Sequence, residues 1–211
     1  MNLEPMLKYS LSGVLSFLIK GATRPLRGIR RLYAHAQLAA AIDTLLPTSA
    51  VVLGKVLVYG SRRVDFGEDV LLYPGVHLET QGTARINIGD SVVMSSGVHV
   101  VAMAGVAIGE GTIIGEYTSI RDANHRRDPG LTIRDSGHSA KPISIGREVW
   151  VGRGVTILGG VTIGDRATVG ANAVVTKDVP EGETVVGIPA ASIDRGAFAP
   201  GRIDMLSSLS H

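Results

Sequence analysis

An aliphatic residue returns at every sixth position from Ile145 through Val151, Ile157, Ile163 and Val169 to Val175. A second file runs two residues ahead of it, as Ile143, Val149, Val155, Val161, Ala167 and Ala173, and glycine follows the first file at Gly146, Gly152, Gly164 and Gly170. The same beat sounds earlier as Phe66, Leu72, Leu78, then Ile88, Met94, Val100, then Ile108, Ile114, Ile120, with a longer step between triplets, as at "ETQGTARIN". A period this regular commits the chain to a repeat architecture. Alternation within each hexad points its aliphatic residues to one side of a short strand, and small residues let the backbone turn at fixed intervals. Three strands per eighteen-residue turn give about five triangular coils, stacked about 4.8 Å apart around a continuous aliphatic column. These aliphatic and glycine residues are scaffold rather than chemistry.

Composition agrees with such a core. Aromatic residues are 4% of the 211, while glycine alone contributes 27, so the interior is built from β-branched layers rather than rings. A net charge of +2 gives no basic surface of the kind nucleic acid requires. With no cysteine there is no disulfide, no thiolate metal site and no cysteine nucleophile, which suits a reducing cytoplasm.

Residues 1–50 follow another rule. Leu7, Leu11, Val14, Leu15 and Leu18 fall on one helical face, with Lys8, Ser12, Ser16 and Lys20 opposite. A second helical pattern follows "GATRP" and carries Arg27, Arg30 and Arg31. The apolar run "YSLSGVLSFLI" is too short to span a bilayer and lacks a cleavage pattern. A basic amphipathic segment of this kind either lies on an anionic membrane, here through residues 1–35, or caps the first coil. The domain plan is therefore an amphipathic segment over 1–50, the solenoid over 51–192 and a loose tail over 193–211.

One stretch breaks the rhythm. Between Ile120 and Ile143 the hexads give way to "SIRDANHRRDPG" and a loop over 121–142, which puts His125 just beyond a coil corner. Asp122, Asn124 and Asp128 read as turn residues first, with orientation of the imidazole as the lesser alternative.

From "NHRRD" through "KPISIGREVWVGRGVTILGGVTIGDRATVGANAVVTKDVPEGETVVGIPA", the chain resembles the hexapeptide-repeat acyltransferases. Within them it is similar to the galactoside/maltose O-acetyltransferase branch and to acetyltransferases of bacterial polysaccharide assembly. The resemblance covers roughly 60–192. It implies a left-handed parallel β-helix, a homotrimer with sites between subunits, acetyl-CoA as donor and no metal. It implies a sugar or lipid-linked saccharide as acceptor and a cytoplasmic location, with attack in a ternary complex and no acyl-enzyme. An amino or nucleotide-linked sugar acylated on nitrogen is the alternative acceptor chemistry.

The resemblance also assigns residues. His125 stands at the position of the catalytic histidine, and an imidazole is the natural base for a hydroxyl attacking a thioester near neutral pH. Trp150 would wall the thioester end of CoA. Arg153 would offer its backbone N–H to the developing oxyanion. Ala171 and Thr176 correspond to pantetheine contacts and Lys177 to a phosphate contact, with Arg166 or Arg153 as further cations. On the acceptor side, Ser95 stands where sugar-acetylating members often carry Asn, and Asn124 lies beside the base. A carboxylate is common late in this loop; here the region reads Ser136, Gly137, His138, with Asp135 out of register.

His77 and His99 occupy equivalent outward sites on successive coils. With a neighbour's imidazole such a pair could hold zinc, as in the β-helical carbonic anhydrases, which makes a zinc enzyme of that kind a further alternative. The His-x4-His spacing of those enzymes is absent.

Overall fold

The computed structural model describes residues 4–193; the tail beyond falls outside it. Three parallel sheets run the length of the solenoid. The first face stacks Val51–Val52, Leu71–Leu72, Val93–Met94, Ile113–Ile114, Trp150–Val151, Thr168–Val169 and Thr184–Val186. The second stacks Leu57–Gly60, His77–Thr80, His99–Ala102, Ser119–Arg121, Thr156–Leu158 and Val174–Val175. The third stacks Val64–Phe66, Ile86–Ile88, Val106–Ile108, Ile143–Ile145 and Thr162–Ile163, and Val179 adds a single bridge to Ile163.

This makes six turns and the start of a seventh, more than the five the hexads suggest. Val52, Val58 and Val64 keep the six-residue step, but the frame slips by two residues between Val64 and Phe66. At the other end Val185 follows Val175 by ten residues. Both slips hide a turn from a strict six-residue count.

Both aliphatic files of the 143–175 stretch are buried, at 2% exposure or less for every member. Leu72, Leu78, Met94, Ile114, Ile120, Ile157 and Ile163 complete the column, each burial worth about 1.5–3 kcal/mol. Glycine marks only some of the corners. The turn between the first and second faces takes a positive φ at Gly75, Gly97, Tyr117, Gly154 and Asn172. The turn between the third and first faces does so at Asp69, Ser91, Gly111, Glu148, Arg166 and Gly182. Ladders such as Gly154 N–H to Glu116 O (2.8 Å) and Asn172 N–H to Arg153 O (2.8 Å) run up the edge and hold non-glycine residues in that conformation.

Where the chain leaves the solenoid at 122–142, two buried threonines close the seam. Thr112 donates to Gly146 O at 2.8 Å and Thr118 to Gly152 O at 3.0 Å. The coil thus resumes in register, with Ile113 paired to Trp150 and Ile120 to Ile157.

The two N-terminal helical patterns join into one helix, α1 (Glu4–Ala41), which continues through Pro25. Only its last turns dock: Ala34 and Leu38 are buried, as is Ile42 just beyond, and His35 Nε2 lies 3.1 Å from Pro47 O. Leu11, Val14, Leu15, Leu26, Ile29, Leu32 and Tyr33 are exposed. Leu7, Leu18 and Lys20 lie outside the described side chains. The described helix is not long and apolar enough to cross a membrane.

Candidate active site

The interruption at 121–142 is an antiparallel hairpin. Ala123–His125 pairs with His138–Ala140, so that Asn124 faces Ser139 and His125 faces His138. The two imidazole centroids are 4.3 Å apart with ring planes at 42°. Both histidines are exposed. The sequence offers no acid in register at this point of the loop, and the structure sets His138 opposite His125. The "RDPG" turn signal followed by "GHSA" was the available hint of a ribbon.

The hairpin is anchored at its root. Asp122 is 1% exposed, and its carboxylate accepts the backbone N–H groups of Met103, Ala104 and Gly105 at 2.7–3.0 Å. Its own carbonyl accepts Lys141 N–H at 2.8 Å, tying the outgoing strand to the returning one. Gly159, one coil on, permits this: a Cβ there would sit 2.5 Å from Asp122 O. Asp122 is therefore a structural lock and not a partner of the His125 ring.

The other loop carboxylates are also engaged elsewhere. Asp128 pairs with Arg126 at 2.9 Å, and Asp135 accepts the Thr132 hydroxyl at 2.6 Å. Buried Ser136 organises the tip, accepting Asp128 N–H at 3.1 Å and donating to Thr132 O at 2.8 Å.

The remaining predicted residues occupy other parts of the prism. Trp150 projects from the first face, 60% exposed, between Ile113 and Thr168. Ser95, Arg153 and Ala171 line the edge between the first and second faces, where Arg153 stacks over Tyr117 at 5.8 Å. Among the described residues no backbone carbonyl accepts the Arg153 N–H. Thr176 and Lys177 end the second face on the edge shared with the hairpin, both exposed. Arg166 lies on the third edge and is paired with Glu181, which withdraws it from the Lys177 group.

One chain thus brings His125, Asn124, Thr176 and Lys177 to one edge and Ser95, Arg153 and Ala171 to another. Trp150 stands on the face beyond the second of these. A hollow of about 460 Å³ lies on the third face among Arg85, Asn87, Pro142, Ser144 and Thr162, and none of these predicted residues lines it.

A second cluster sits on the second face. His77 and His99 are register partners on adjacent strands, with ring centroids 4.0 Å apart. Glu79 Oε2 is 3.5 Å from His77 Nε2. The hydrogen bond from Gln81 lowers the Glu79 pKa, and His77 adds to this. Burial, followed by the charge of His77, lowers that of His99.

Residues 142–177 match the family described as bacterial transferase hexapeptide (six repeats). That stretch of the chain carries the repeat this family is described by. The chain is 46% identical over 92 residues to nodulation protein L of Rhizobium meliloti (strain 1021), which is 43% of this chain. That match spans about half (49%) of the relative's length. Among solved structures, AntD, an N-acyltransferase from Bacillus cereus in complex with dTDP and 3-hydroxybutyryl-CoA, has a TM-score of 0.64 at 16% identity. The match covers 77% of this chain and 89% of that one. PerB from Caulobacter crescentus, in complex with CoA and GDP-perosamine, has a TM-score of 0.52 at 22% identity, covering 69% and 57%. At these identities the likeness is one of fold.

Proposed function

We propose that this chain is an acetyl-CoA-dependent acetyltransferase acting on a sugar hydroxyl, with His125 as general base. The observation that carries the reading is the locked hairpin, which holds an exposed imidazole at the coil edge where the repeat is broken. The acceptor O–H attacks the thioester carbonyl carbon while His125 takes its proton, a contribution of about 10²- to 10⁴-fold. The carbonyl electrons move to oxygen, and the Arg153 N–H would donate a hydrogen bond to that oxyanion. Collapse breaks the C–S bond, and the imidazolium returns the proton to the departing CoA sulfur.

The predicted residues lie on two edges and a face of one prism, so we infer that a complete site draws Trp150 and Arg153 from a neighbouring subunit, as in a homotrimer. Thr176 and Lys177 would then meet the donor, Lys177 by its charge. Ser95 and Asn124 would face the acceptor.

A second reading, acylation of an amino sugar linked to a nucleotide, is favoured by the solved neighbours, N-acyltransferases holding dTDP- or GDP-linked ligands. Thiol release from acetyl-CoA over a panel of hydroxyl and amino sugars tests both. Treating the product with hydroxylamine separates an ester, which is cleaved, from an amide, which survives. No thiol release with any sugar sinks the proposal.

The exposed apolar stripe of α1, with Arg27, Arg30 and Arg31 also exposed, supports peripheral attachment to an anionic membrane. The acceptor would then be a lipid-linked saccharide at the cytoplasmic leaflet.

A further inference from the structure

We propose that His77, Glu79 and His99 form a binding site for a divalent transition-metal ion, zinc foremost, on the second face of the solenoid. Parallel pairing sets His77 beside His99, and the outward alternation of the strand returns Glu79 to the same side two residues on. One ligand atom from each of the three lies within 4.8 Å of the others. His77 Nε2 and Glu79 Oε2 are already 3.5 Å apart. Two donors bound at about 2.0–2.2 Å around a tetrahedral ion stand about 3.4 Å apart. The His77–Glu79 pair already stands at about that spacing.

The surroundings hold each donor in place. Gln81 Nε2 donates to Glu79 Oε1 at 2.8 Å and leaves Oε2 for His77. Tyr59 stacks on the His77 ring, centroid to centroid 4.8 Å. Among the described residues His99 Nε2 is buried and has no hydrogen-bond partner, an arrangement that is costly unless something occupies it. Two imidazole nitrogens and one carboxylate oxygen suit zinc, nickel, cobalt or copper and are a poor set for magnesium or calcium. Arg121 is the opposing charge, in the same outward file but one strand beyond Val101. His125 and His138 are not part of the set.

The test uses the untagged full-length chain, stripped of metal by chelator and dialysis. It is titrated with Zn²⁺ against a chromophoric chelator and with Co²⁺ followed by visible absorption. One ion per chain should bind at micromolar Kd or tighter. Removing partners of metal ligands already costs about 10- to 100-fold, so His77→Ala or His99→Ala should weaken binding by more than about 100-fold and Gln81→Ala by about 10-fold. His125→Ala and His138→Ala should leave it unchanged. Should His99→Ala fail to fold, Glu79→Gln keeps the shape of the side chain and should still weaken binding and alter the Co²⁺ spectrum. Absence of stoichiometric binding at about 100 µM Zn²⁺ overturns the site. So does affinity that survives both His77→Ala and Glu79→Gln, or that disappears in His138→Ala. None of these readouts depends on acetyl transfer, so the two proposals fail separately.

Discussion

His138 faces His125 across the hairpin with ring centroids 4.3 Å apart, and neither Asp128 nor Asp135 reaches the pair, since each is held by another residue. The His125 ring is therefore positioned by contact with His138 and by the backbone register of the ribbon, without a carboxylate.

His125→Ala should lower turnover by at least about 100-fold while acetyl-CoA still binds. His138→Ala should lower kcat by about 10-fold with little change in the acceptor KM, because it releases the ring without removing it. Steady-state kinetics on folded variants checks both. Near-normal turnover of His125→Ala removes that residue from the mechanism, and an effect of His138→Ala confined to KM would make it an acceptor contact.

Asp122 should matter as much as His125, through structure. Its replacement by Ala strands the N–H groups of Met103, Ala104 and Gly105 at a part-buried corner, at a cost of about 1–3 kcal/mol. Gly159→Ala should produce a similar loss from the opposite side by driving a methyl into Asp122 O. Thermal melts of the two variants and of their combination measure this. Because both act on one junction, the double variant should lose less than the sum.

Much of this fold was legible because a solenoid repeats its constraints. Each of the aliphatics from Ile143 to Val175 that share the six-residue beat points inward, and no distant contact has to be guessed. The hairpin was harder. Its register depends on pairing Ala123–His125 with His138–Ala140, two stretches with no shared period, so His138 appeared only as a missing acid. Glu79 was invisible for a different reason. It joins His77 and His99 only through the outward alternation of one strand and the parallel register of the next, which a list of histidines does not contain. Arg166 looked like a spare cation until its edge and its partner Glu181 were known.

Assembly follows from the separation of Trp150 from His125. If a neighbouring chain completes the site, light scattering should give a mass near three times 22.1 kDa. Mixing inactive His125→Ala with an inactive variant altered at Trp150 should restore part of the activity. An active monomer contradicts this arrangement.

On the donor side, Lys177 is exposed on the hairpin's own edge. Lys177→Ala should raise the acetyl-CoA KM by about 10-fold with kcat nearly unchanged, since a phosphate contact is uniform along the reaction. Its effect should shrink in high salt. An unchanged KM would leave it a solvated lysine.

The last expectation concerns α1. The residues that dock it, Ala34 and Leu38, are confined to its end, while Leu11, Val14, Leu15, Leu26, Ile29, Leu32 and Tyr33 remain exposed at helical spacing. Arg27, Arg30 and Arg31 add charge worth about 1 kcal/mol each near an anionic surface. A helix that served only to cap the first coil would have no use for so long an apolar stripe beyond its docked turns. Full-length protein should therefore sediment with anionic vesicles, bind them less as salt rises and bind them more weakly on deletion of residues 1–22. If it stays in the supernatant at low salt, the docked end is all that α1 contributes, and the case for a lipid-linked acceptor falls with it.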